Sequence, residues 1–186
     1  NAPSPFRASF PGASLNLTHA FNESLTMALN GGPRFVNSST QSSADNIRTR
    51  NTTWLFGGNL AKKFESATVQ VTVARDIIPS GFGLLIQTDR IATTVSHDLS
   101  ETITASFDAS GYRVSGLTTR ALGGTISEQR LFYLTPKVAW KFLEWWKVEL
   151  SYTYRWRDST GSQDLAMSNA TMFTLTYYPP KLAFSN

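Results

Sequence analysis

The run WKVELSYTYRWR, residues 146–157, decides the fold. Its even positions are Trp146, Val148, Leu150, Tyr152, Tyr154 and Trp156, and its odd positions are Lys147, Glu149, Ser151, Thr153, Arg155 and Arg157. Side chains of a β-strand point alternately to opposite faces, so one face is apolar or aromatic and the other polar or charged. A strand of a soluble sandwich alternates in the same way. Length and ends favour a membrane: the run is about as long as a tilted membrane-crossing strand of roughly 9–11 residues, and large aromatics stand at both ends of its apolar face.

The same two-residue period extends in both directions. Upstream, Phe132, Leu134, Val138, Trp140 and Phe142 alternate with Tyr133, Thr135, Lys137, Ala139 and Lys141. Downstream, Phe173, Leu175 and Tyr177 oppose Met172, Thr174, Thr176 and Tyr178. From the N-terminus, 1–7 is Pro-rich and irregular. One strand then runs to Phe21, with Ala13, Leu15, Leu17, His19 and Phe21 in its apolar phase. A second places Leu25, Met27, Leu29, Gly31 and Phe35 opposite Ser24, Thr26, Ala28, Asn30 and Arg34. Three more show Trp54, Phe56, Gly58 and Leu60; then Ala67, Val69, Val71 and Val73; then, over 84–98 and least cleanly, Ile91, Thr93 and Val95 against Arg90, Ala92 and Thr94. The sixth places Ile103, Ala105 and Phe107 opposite Thr104, Ser106 and Asp108. In the strand that carries Trp54, Leu55 is an exception in the polar phase.

Connections alternate between short turns, after strands one, three, five and seven, and long polar loops at 37–51, 76–82, 113–130 and 158–168. That is the rule of an up-and-down transmembrane β-barrel, with short periplasmic turns and longer extracellular loops. It predicts an all-β antiparallel fold, one domain over 1–186 with a tail at 179–186, and a C-terminus on the periplasmic side of a bacterial outer membrane. The count is about nine strands, whereas single-chain bacterial barrels have even numbers. An unpaired edge is not tolerated in hydrocarbon, so the chain is expected to be the C-terminal part of a larger even-stranded barrel. It opens on Asn1 without an initiator Met or a signal-peptide pattern, and is expected to be a mature or partial chain.

Composition agrees. Charged residues are 16% of the 186, below the quarter usual for soluble domains, and no run of 18 apolar residues offers a transmembrane helix. The absence of Cys removes disulfides, thiolate-held zinc, thiol catalysis and covalent haem attachment. The net charge of +4 is not gathered into a basic run or helical face, so nucleic acid is not an expected partner.

The polar phase carries Arg34, Arg90, Lys137, Lys141, Lys147, Arg155 and Arg157 against Asp108 and Glu149. Facing a lumen, these make a cationic stretch of wall, and cationic rings favour anions. The plainer account is that they pair with carboxylates or plug segments outside this sequence. On the apolar phase Trp54, Trp140, Trp146, Tyr154 and Trp156 read as membrane-interface aromatics, with an apolar body and a wet tip. Tyr133 points to the polar side, where lining competes with sugar stacking.

Catalysis is not expected, because His19 and His97 fall in the lipid-facing phase near short turns, away from any lumenal Ser/His/Asp site. The stretch 158–164 lacks calcium-loop spacing, and no metal or other cofactor is implied. The Asn-x-Ser/Thr sequons at Asn16, Asn22, Asn37, Asn51 and Asn169 are chance products of a Ser/Thr-rich chain. Pro136, inside a strand and without an N–H, suggests a bulge.

Three features carry a family resemblance: Pro79-Ser80-Gly81-Phe82-Gly83 before a strand, the hairpin over 135–157, and Ser168-Asn169-Ala170 followed by Phe173, Leu175 and Tyr177. Together they resemble the outer-membrane β-barrel proteins of bacterial exopolysaccharide and exosortase (PEP-CTERM) loci, over the C-terminal half of such a protein. The resemblance implies a Gram-negative outer membrane and a role in exporting extracellular polymer. The last strand also looks like a barrel-assembly signal, although residues follow its aromatics. The expected function is a porin-like or polymer-export conduit without chemistry, its partners the lipid bilayer and an anionic solute or polysaccharide. Two alternatives are a barrel that sheathes or scaffolds a separate plug, secreted fibre, periplasmic or electron-transfer protein, and a soluble all-β binding module.

Overall fold

A computed structural model of the chain describes residues 6–41, 46–79, 85–116, 127–160 and 165–179. Its strands are β1 (Phe6–Ser9), β2 (Leu15–Asn22), β3 (Leu25–Gln41), β4 (Asn46–Lys63), β5 (Ala67–Pro79), β6 (Leu85–Asp98), β7 (Ile103–Gly116), β8 (Gln129–Leu143), β9 (Trp146–Ser159) and β10 (Ala166–Tyr177). They form one antiparallel sheet in the order β1-β3-β4-β5-β6-β7-β8-β9-β10, with β2 also paired to β3. Strands β1 and β2 pair with successive parts of β3, Ala8 with Ser38 and Leu15 with Gly31. A bridge of Gly12 to Arg34 lies between them, so they are halves of one interrupted strand. The sheet therefore has nine strand positions in sequential up-and-down order, as the alternation predicts.

Pairing crosses the interruption, because Phe35 N–H donates to the Pro11 carbonyl at 2.9 Å and Ala13 N–H to the Pro33 carbonyl at 3.3 Å. This close approach depends on Gly32, where a Cβ would collide with the carbonyl oxygen of Ala13, a backbone atom that cannot rotate away. Gly32→Val is expected to destabilise the fold by about 1–3 kcal/mol, the usual cost of forced overpacking. An unfolding titration in detergent checks this, and an unchanged midpoint would show that the interruption relaxes freely.

The expected long loop at 37–51 is corrected. Strand β3 runs to Gln41 and β4 starts at Asn46, in unbroken register from Asn37 opposite Arg50 to Gln41 opposite Asn46. Likewise β7 extends to Gly116 and β8 begins at Gln129, shortening the loop read at 113–130. Ser, Thr and Asn side chains end the amphipathic alternation without preventing main-chain pairing, so strands outlast the pattern that reveals them. The segment 1–7 also contributes residues, Phe6 and Arg7, to β1. The bulge expected at Pro136 is absent. Leu134 opposite Tyr154 and Lys137 opposite Ser151 keep one register across it, and the irregularity in this pair lies between Trp140 and Leu143, near the turn.

Directly paired residues share a face, so the alternation becomes two continuous surfaces. The apolar one is open: Leu15 is 78% exposed, Phe173 67% and Trp54 64%. The polar one holds the buried Val36, Thr53 and Ser151. Among the described residues no second layer covers the apolar face, which a soluble sandwich would require. Each large side chain left in water would forfeit about 1.5–3 kcal/mol of burial, so this surface suits hydrocarbon.

Candidate functional site

All seven basic residues singled out in the sequence lie on the polar face. Lys147, Arg155 and Arg157 share one phase of β9; Ser151 sits opposite Lys137, Arg90 opposite Tyr112, and Arg34 opposite Thr53. The sheet sorts them into groups. Near the short turns, Glu149 Oε2 accepts from Lys147 Nζ at 3.0 Å, and Lys137 Nζ stands 3.8 Å from Glu149 Oε1. Lys141 and Glu101 complete the lining of a hollow of about 290 Å³ there. One carboxylate thus offsets part of the charge of two lysines.

Toward the other end, Arg90 lies 6.0 Å from the Tyr112 ring and Arg155 lies 5.9 Å from the Tyr133 ring. The two tyrosines meet edge to face at 5.7 Å. Tyr112, Tyr133, Thr135, Thr153 and Arg155 border a hollow of about 490 Å³. Arg34 stands apart, donating through Nη1 to the Phe10 carbonyl at 3.3 Å beside the strand interruption. Arg157 is exposed toward the long-connection end of β9.

Register adds two carboxylates that strand-by-strand reading leaves out of this face. Asp76 pairs with Thr88, and Asp98 with Thr104, whose hydroxyl donates to it at 2.8 Å. Asp108 accepts from the Thr94 hydroxyl at 2.7 Å.

On the apolar face, Trp146 packs at 4.8 Å from Tyr177, and Trp140 at 5.6 Å from Phe142, both near the short turns. Trp54, Tyr154 and Trp156 share that face by register and lie toward the opposite end. His19 and His97 fall on it too. His19 meets the Phe21 ring at 4.6 Å, and His97 Nδ1 is 3.5 Å from the Ser66 hydroxyl. Among the described residues no carboxylate completes a relay with that pair, and no three potential ligands converge on a metal position.

Sequence reading missed a charged row that bounds the apolar face. Arg75, Asp89, Arg113, Arg130 and Asp158 stand directly opposite one another across β5 to β9. Arg75 Nε donates to Asp89 Oδ1 at 2.5 Å and Nη2 to Oδ2 at 3.0 Å. Glu128, just before β8, accepts from Arg113 Nη2 at 2.8 Å and stands 3.0 Å from Arg130 Nη2. Hydrogen bonds from Arg113 and then Arg130 hold its carboxyl below the usual carboxylate range. The signal was available: each of these strands carries a charge in its apolar phase near the long-connection end, although Ile77 and Leu85 lie beyond it in β5 and β6.

No protein-family model and no curated protein matches the sequence. Among solved structures, in-vitro folded OmpT, an outer membrane protein of Vibrio cholerae, superposes with a TM-score of 0.53 at 14% identity, covering 92% of this chain and 56% of its own. Its trimer form gives 0.54 at 13% identity with the same coverage. The outer-membrane-expressed form gives 0.50 at 14% identity, covering 92% of this chain and 57% of its own. The chain thus spans little more than half the length of these solved structures. Register, two-faced surface and superposition agree on an antiparallel up-and-down sheet of the outer-membrane β-barrel type.

Proposed function

We propose that this sheet is part of the wall of a passive conduit in a Gram-negative outer membrane. The polar face lines a water-filled lumen, the apolar face meets lipid, and the short turns and the C-terminal end of β10 lie on the periplasmic side. Further strands close the barrel to an even number. This reading is supported by the open edges at β1/β2 and β10, whose main-chain groups would otherwise stay unpaired in hydrocarbon. The aromatics near the two ends of the apolar face act as interface anchors.

The observation that carries the proposal is the segregation of charge: Arg34, Arg90, Lys137, Lys141, Lys147, Arg155 and Arg157 all share the polar face, while the opposite face is apolar up to its charged row. A cationic lumen favours anions. The resemblance to exopolysaccharide and exosortase-locus barrels adds an extracellular polymer as the cargo class, and the cationic wall favours an anionic one. Lys141 and Arg155 bear more of the selectivity than Lys137 and Lys147, because neither forms an ion pair among the described residues, whereas Lys137 and Lys147 share Glu149. Charge reversal at Lys137, Lys141 and Arg155 is expected to move ion selectivity in planar bilayers from anions toward cations. Unchanged selectivity would remove these residues from the lumen.

A further inference from the structure

We infer that the arrangement Arg90–Tyr112–Tyr133–Arg155 is a binding site for an acidic saccharide, a chain of sugar rings carrying carboxylates. The inference rests on the lumen reading, since the site must meet water. Five cations of the described sheet have anionic partners: Arg75 has Asp89, Arg113 and Arg130 share Glu128, and Lys137 and Lys147 share Glu149. Arg90 and Arg155 have none among the described residues, and each lies instead against a tyrosine ring. At 5.9–6.0 Å from the ring centroids the guanidiniums remain beyond close stacking, and their donors stay available to an incoming anion.

Spacing and chemistry define the ligand. Arg90 is on β6 and Arg155 on β9, three strand steps across the sheet at roughly 4.8 Å per step and two residues, about 7 Å, along it, hence about 16 Å apart. Two carboxylates on successive parts of one chain suit that separation better than a single small anion. Between the arginines, Tyr112 and Tyr133 present aromatic surface to sugar C–H groups, and the Thr135 and Thr153 hydroxyls, 3.3 Å apart, meet sugar hydroxyls. The hollow of about 490 Å³ is bordered by Tyr112, Tyr133 and Arg155, with Arg90 outside its lining but against Tyr112, and is within the range of small-ligand sites, roughly 300–1,000 Å³. An inorganic anion would need no tyrosines, and a neutral sugar would leave both guanidiniums without a partner.

Calorimetry on the complete chain folded in detergent micelles, with oligogalacturonate as the probe, tests the site. Oligogalacturonate is expected to bind, and malto-oligosaccharide and polyglutamate to bind roughly tenfold more weakly or less. Tyr133→Ala and Arg155→Gln should each weaken binding by roughly tenfold, the scale of removing a central contact, while Tyr133→Phe keeps it. Equal binding of polyglutamate, or binding unchanged in Tyr133→Ala, overturns the site. Heat-modifiable gel migration shows that each variant is folded. Planar bilayers then separate the two readings. Binding in micelles without current or block by oligogalacturonate sustains the site and removes the lumen, whereas current without binding removes the site.

Discussion

Leu150→Arg is expected to cost about 2–4 kcal/mol of folding stability in a bilayer, the range for Arg on the lipid face of a barrel near the midplane. Leu150 is halfway along the apolar phase of β9, 51% exposed, and sits between Val138 on β8 and Phe173 on β10. A guanidinium there meets hydrocarbon with no carboxylate opposite it on either neighbouring strand. The control is three residues away. Thr153 occupies the other face beside Ala170 on β10, its hydroxyl 3.3 Å from that of Thr135. Thr153→Arg should therefore cost no more than the hydrogen bond it removes, about 0.5–1.5 kcal/mol. Chemical denaturation in liposomes measures both. Equal penalties would mean that the two faces meet the same medium, and the membrane reading would fail.

On the proposed membrane reading, the alternation that selects Leu150 was legible because hydrocarbon imposes it: every second side chain in a lipid-facing segment must be apolar, and little else is allowed. The faces of Trp146 to Arg157, of Tyr133 and of all seven basic residues follow from that rule. Where the constraint ends, so does the legibility. Residues 37–41 and 46–51 are paired strand, yet their Ser, Thr and Asn side chains carry no period and read as loop. Pro136 shows a different limit, since its missing N–H predicts disruption but the register passes through it unchanged.

Groupings within the polar face needed register as well as phase. That Lys137 and Lys147 share Glu149 depends on the pairing of β8 with β9, and that Arg90 approaches Tyr112 depends on β6 with β7. Each strand's own sequence is silent about which rung of its neighbour it meets. The same gap hid the charged row: Arg113, Arg130 and Asp158 read as loop residues and Asp89 as part of a strand of unclear phase, until register aligned them with Arg75.

That row supports a second large effect. Arg75→Leu is expected to destabilise the barrel by about 1–3 kcal/mol, because it leaves Asp89 without the guanidinium that satisfies both its oxygens. Asp89 side-chain exposure is 23%, and the adjacent Gln87 amide reaches it only at 3.4 Å. Arg113, the next cation along the row, is engaged by Glu128 at 2.8 Å. Asp89→Leu should cost less, since Arg75 keeps its place over the Phe56 ring at 5.3 Å and its long side chain reaches toward the polar end. The double variant removes both charges and should recover most of the loss, giving a coupling of about 0.5–3 kcal/mol in the cycle. Additive single effects would mean that the pair is solvated independently and lies well clear of the lipid. Strong coupling with the stated asymmetry would set the row at the outer edge of the hydrocarbon, where a lone carboxylate is costlier than an arginine resting on an aromatic ring.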